Sequence, residues 1–192
     1  VIASHRLPET LKELRQRGFE GFQAYSEGVF DDCNKMLLAG LASGRFPDAE
    51  AAFRAYAEQY FGASPGQAAA WAPWLSQWGD RKKVPLPAAA EEFARLSEGV
   101  KPSWRLEHWR CKIELEALDR AIGSPKPVEW TTEKLALAEN YFSVQERMYR
   151  EVYRLGPLRH VLNPTVMPPQ WFASWISANK SMKEAAKLLP QQ

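Results

Sequence analysis

The first 25 residues constrain the fold more than any other part of the chain, because they read as strand, helix, strand. Val1-Ile2-Ala3-Ser4 reads as the end of a strand, with His5 and Arg6 directly after it. Leu7-Pro8 opens a helix, with proline in the first turn and Glu9 near the positive helix end. Leu11 and Leu14 share one face, while Lys12, Arg15, Gln16 and Arg17 lie on others, and Gly18 closes the helix. The run from Phe19 to Tyr25 then reads as a second strand. Two strands joined by a helical crossover must be parallel, and a parallel pair needs both faces covered. Residues 1–45 therefore either pack on the helices that follow or belong to a larger sheet.

Those helices are clearly punctuated. Asp31 and Asp32 suit a helix start, Met36, Leu37, Leu38 and Leu41 give that helix an apolar body, and Gly44 stops it. Phe46-Pro47-Asp48 starts the next, with Phe53, Tyr56, Ala57, Tyr60 and Phe61 on one stripe and Gly62 at its end. Ser64-Pro65-Gly66-Gln67 is a capping box that opens a helix carrying Trp71, Trp74 and Trp78. Gly79 to Pro87 is a basic, proline-containing connector, followed by a short helix over about 88–97. Ser103 caps a long helix with Leu106, Trp109, Ile113, Ala117 and Ala121 on one face. Thr131 or Thr132 caps the longest helix, with Leu135, Ala138, Phe142, Gln145, Met148, Val152 and Leu155 facing inward. These two helices are expected to pair as an antiparallel hairpin. The tail beyond Gly156 is proline-rich, with one short helix pinned by Trp171, Phe172 and Trp175 and a final basic helix over 180–189.

Composition narrows the function classes. A net charge of +2 gives no electrostatic footprint for nucleic acid or an anionic membrane surface. No apolar run approaches the ~20 residues that span a bilayer. Cys33 and Cys111 match no metal or redox spacing and read as two buried free thiols, with a disulfide as the other possibility. No His-Glu-x-x-His, phosphate loop, dinucleotide fingerprint or Gly-x-Ser-x-Gly frame occurs, so neither metal nor cofactor is expected.

The candidate chemistry sits at the ends of the two expected strands. Glu27 follows the second strand, and His5 and Arg6 follow the first. Parallel strands would bring all three to one rim, where a carboxylate can donate or accept a proton or stabilise a cationic transition state. The competing reading makes Glu27 and Asp31 local caps, with a salt bridge to Arg6. Tyr25 either lines the rim or fills the packed face, and Asp31 and Asp32 either cap the helix or hold a sugar hydroxyl. Trp71, Trp74 and Trp78 read as bundle core in preference to a carbohydrate platform. Glu107, Glu114, Glu116 and Asp119 interleave with Arg105, Arg110, Lys112 and Arg120 as a solvated ion-pair face.

The pattern Leu11-x-x-Leu14-x-x-x-Gly18-Phe19-x-Gly21-Phe22-x-x-Tyr25-Ser26-Glu27-Gly28-x-x-Asp31-Asp32-x-Asn34-Lys35 resembles the closing part of the barrel in large bacterial glycoside hydrolases. The segment from Phe53 to Gly62, ending Tyr60-Phe61-Gly62, resembles the helix after the barrel in α-glucuronidase-like and β-hexosaminidase-like enzymes. The resemblance covers roughly residues 1–80. It implies that the chain is the C-terminal part of such an enzyme, with the earlier barrel strands upstream and the general acid on one of them. Glu27 would then be a second carboxylate or a substrate-binding group, and the isolated chain would be inactive.

The expected fold is mainly α, a multi-helix bundle with a short N-terminal β-α-β element like the end of a (β/α)8 barrel. The expected division is 1–45 and 46–192. The expected function is part of a carbohydrate-active enzyme, with Glu27 catalytic and His5, Arg6, Tyr25, Asp31 and Asp32 binding substrate. Arg6 would suit an acidic sugar, by paired hydrogen bonds to its carboxylate. The expected partners are a carbohydrate substrate and the remaining barrel, with no nucleic acid and no membrane. The alternative is a non-catalytic helical module that holds a protein partner through Trp-rich surfaces.

Overall fold

The computed structural model describes residues 2–21, 23–24, 32–123 and 129–153, together with 176–177, 183–184 and 187. The protein is mainly helical, with seven α-helices among the described residues. It divides into two compact units, 1–102 and 103–192. The boundary expected at 45/46 falls inside the first unit, between two helices that pack on each other.

In the first unit, α1 (Arg6–Gln16) is followed by α2 (Asp32–Ala42), α3 (Ala49–Tyr56), α4 (Pro65–Ser76) and α5 (Leu86–Ser97). Local chemistry sets their ends. Gly18 takes φ +76°, which lets the N–H of Phe19 reach the Leu14 carbonyl and close α1. Asp48 accepts from the N–H of Ala51 at the start of α3. Ser64 and Gln67 form the expected reciprocal capping box of α4. Arg15 donates to the carbonyls of Leu41 and Ala42, so a cation from α1 caps the negative end of α2. A π-helical turn, Ala57–Phe61, extends α3 and ends at Gly62.

The expected β-α-β element is not found. Among the described residues there is no strand. Ile2 is buried and gives its N–H to the Trp78 carbonyl at 3.1 Å rather than to a neighbouring strand. Phe19, expected to begin the second strand, is 58% exposed. The physical reason is that two parallel strands cannot satisfy their outer backbone groups or cover both faces by themselves. The segment over residues 2–5 pairs instead with the end of α4.

The core of the first unit is aromatic. Phe61 and Trp71 lie 4.6 Å apart, Trp71 and Trp74 5.3 Å, and Trp74 and Trp78 5.6 Å, with Phe93 of α5 against both Trp71 and Trp74. Trp71, Trp74 and Trp78 are all buried, so this stripe fills the core rather than a ligand platform. The Trp74 indole N–H also donates to the Ala89 carbonyl at 2.9 Å, fixing α5 on α4.

In the second unit, α6 (Trp104–Ile122) and α7 (Thr132–Arg147) pack together, capped by Ser103 and Thr131. Ile122 clusters with Ala138 and Phe142, while Cys111 clusters with Val144 and Met148, an order that makes the pair antiparallel. The inner face of α7 is as expected and continues through buried Met148 and Val152 of the π-helical segment Met148–Tyr153; Leu155 lies outside the described residues. On α6, Ala117 and Ala121 are exposed, and the packed seam runs through Cys111, Leu115, Leu118 and Ile122. Glu116 departs from the expected solvated face: it is buried and held by Arg120 at 2.9 Å. Among the described residues no helix is long and apolar enough to cross a membrane.

Candidate functional site

The site expected from sequence is only partly within the described residues. Glu27, Tyr25 and Asp31 lie outside them. His5, Arg6 and Asp32 are described, and the fold brings their two segments together. The backbone N–H of Ala3 donates to the Asn34 side-chain oxygen at 2.8 Å, tying residues 2–6 to the first turn of α2. Asp32, the first residue of α2, accepts the Tyr56 hydroxyl at 2.9 Å. Its carboxylate also stands in the first turn, where the helix dipole favours a negative charge.

His5 and Arg6 open onto a cleft of about 580 Å³ that Gln77, Asp80 and Lys83 also line. Backbone geometry shapes it. The Ile2–Trp78 bond and a hydrogen bond from the Ser4 hydroxyl to the Ser76 carbonyl at 3.2 Å clip the N-terminal segment to the end of α4. Gly79 sits at the point of closest approach, where a Cβ would stand 3.0 Å from Ser4 Oγ and 3.3 Å from the His5 ring. A second cleft of about 440 Å³ shares His5, Ser76 and Gln77 and continues to Glu50 and Phe53. Asp80 and Lys83 form an ion pair at 3.2 Å, and the Lys83 contact holds the Asp80 carboxyl below its ordinary range. Asp80 and Lys83 belong to the basic connector expected from Gly79 to Pro87; its charges are visible in the sequence, but that they share a cleft with Arg6 is not.

The second unit holds a separate polar cluster. Arg147 bonds Glu114, approaches Glu107 at 3.9 Å and donates to the Cys111 sulfur at 3.7 Å. Burial pushes the Cys111 thiol above its ordinary range, against the opposing pull of Arg147. His108 is buried, and desolvation, assisted by Lys112, lowers its pKa to about 3. Cys33 and Cys111 are both free and buried. Among the described residues no group of three His, Cys, Asp or Glu side chains is arranged to hold a metal ion.

Comparisons with protein families, curated proteins and solved structures give no match to this chain.

Proposed function

We propose that the chain is part of a carbohydrate-active enzyme of the glycoside hydrolase kind, contributing a carboxylate-bearing rim segment and a helical support. The observation that carries this reading is the tether between the two candidate segments. The backbone N–H of Ala3 is bonded to Asn34, so the segment that leads into His5-Arg6 and the start of α2 are neighbours, as two adjacent segments of one rim require. The sequence Tyr25-Ser26-Glu27-Gly28-x-x-Asp31-Asp32 runs directly into that tether. Residues 1–4 and 19–25 become barrel strands only in the company of the other strands, because a parallel pair needs neighbours on both sides. Glu27 acts there as a second carboxylate or a substrate-binding group. The alternative, a module that binds a protein through Trp-rich surfaces, is weakened because Trp71, Trp74 and Trp78 are core residues.

The test is hydrolysis of aryl glycosides, by these 192 residues alone and by the product of the complete reading frame. The chain alone is expected to be inactive. The complete product is expected to hydrolyse one of the panel, and Glu27→Gln to lower its kcat/KM by about 100-fold or more. Hydrolysis by the chain alone, full activity in Glu27→Gln, or a reading frame that encodes no further strands would overturn the proposal.

A further inference from the structure

We propose that Tyr56 is a positioning residue, whose hydroxyl sets the direction in which the Asp32 carboxylate meets a substrate hydroxyl. This role rests on the glycosidase reading above, in which Asp32 binds substrate, and adds to it a residue from α3. The Tyr56 hydroxyl donates to Asp32 Oδ1 at 2.9 Å, across 24 positions of sequence.

The donor is held rigidly. Tyr56 is 2% exposed, and its ring lies between Tyr60 at 5.1 Å and Phe61, edge-on, at 5.3 Å. Directly after Tyr56, α3 passes into the π-helical turn Ala57–Phe61. An α-helix puts residues five apart on different sides, but the wider turn brings Phe61 to Tyr56. Turns of this kind recur at functional sites. A phenylalanine would fill the same space, so the hydroxyl serves Asp32 rather than the core.

The acceptor needs direction more than stabilisation. Asp32 is the first residue of α2 and only partly buried, and the helix dipole there already favours its charge. The backbone that carries it is fixed at both ends of α2. Asn34 accepts the Ala3 N–H at 2.8 Å, and Arg15 donates to the Leu41 and Ala42 carbonyls. What the backbone leaves open is rotation about the two side-chain bonds of Asp32, and the Tyr56 hydroxyl restricts it. A group held in one orientation loses less entropy when it binds a ligand.

The experiment is the kinetics of the complete product on the aryl glycoside it hydrolyses best, at a temperature where circular dichroism shows each variant folded. Tyr56→Phe should raise KM about tenfold and leave kcat within about twofold, the pattern of lost substrate binding. Asp32→Ala should raise KM at least as much. Adding Tyr56→Phe to Asp32→Ala should raise KM no further, because Tyr56 acts through Asp32. Trp74→Phe removes a different buried hydrogen bond in the same unit and should leave KM unchanged, which separates positioning from stability. An unchanged KM in Tyr56→Phe, or a further rise in the double variant, would overturn this role and leave the glycosidase reading standing. A complete product that hydrolyses no aryl glycoside would overturn that reading, and this role with it.

Discussion

The Tyr56 hydroxyl donates to the Asp32 carboxylate at 2.9 Å, joining the end of α3 to the first residue of α2. Tyr56 is buried at 2% exposure, so its hydroxyl has little access to water if the bond is lost. Tyr56→Phe removes the donor and keeps the ring, which stacks near Tyr60 and Phe61. Urea unfolding should show a loss of about 1.5–3 kcal/mol, the usual range for a hydrogen bond to a charged group. Asp32→Asn, which keeps an acceptor, should lose less. A Tyr56→Phe protein as stable as the parent would show that the bond contributes nothing.

Trp74 combines two roles that substitution can separate. Its ring packs against Trp71, Trp78 and Phe93, and its N–H holds the Ala89 carbonyl. Trp74→Phe should cost about 2–4 kcal/mol, from the orphaned carbonyl and the space the smaller ring leaves. Trp74→Ala should cost more. The midpoint of denaturant unfolding, followed by circular dichroism, measures both.

His108 makes stability depend on pH. Its folded-state pKa of about 3 lies below the ordinary 6.5, so the unfolded chain takes up the proton first. The contribution is complete above about pH 6.5 and is lost as pH falls toward the folded value, by at most about 1.4 kcal/mol per unit. Between about pH 6.5 and 5, where most carboxylates are still ionised, the loss should reach about 2 kcal/mol. His108→Leu should flatten that slope. Equal slopes in the two proteins would show that His108 is not the titrating group.

The two thiols should be silent in the native protein. Cys111 is fully buried and Cys33 is 7% exposed, and the reactive species is the thiolate. Burial also works against forming the Cys111 thiolate. A thiol reagent such as dithionitrobenzoate at about pH 8 should label neither residue until urea is added, and then both. Rapid native labelling of either would mean that its cover opens readily.

The helical part of the fold was legible in the sequence because its signals are local. Ser64 with Gln67, Asp48, Ser103 and Thr131 announce helix starts through hydrogen bonds that span three residues. Gly18, Gly44, Gly62 and Gly123 announce the ends, because each must take positive φ. The Trp71, Trp74 and Trp78 spacing likewise marked a buried stripe before any packing partner was known. The seam of α6 was less legible. Its turns alternate apolar and charged residues, and only the partner helix selects Leu118 and Ile122 over Ala117 and Ala121.

By itself, then, the sequence determined where the helices begin and end and, except along α6, which of their faces are apolar, since both follow from neighbours within one or two turns. It could not determine whether Ile2 and Phe19 enter a sheet, because strand pairing depends on partners far along the chain. The tertiary structure decided that Ile2 pairs with Trp78, that Asn34 holds Ala3, and that Lys83 and Arg6 line one cleft. Each of these joins residues more than thirty positions apart, where only the packed fold fixes the distance.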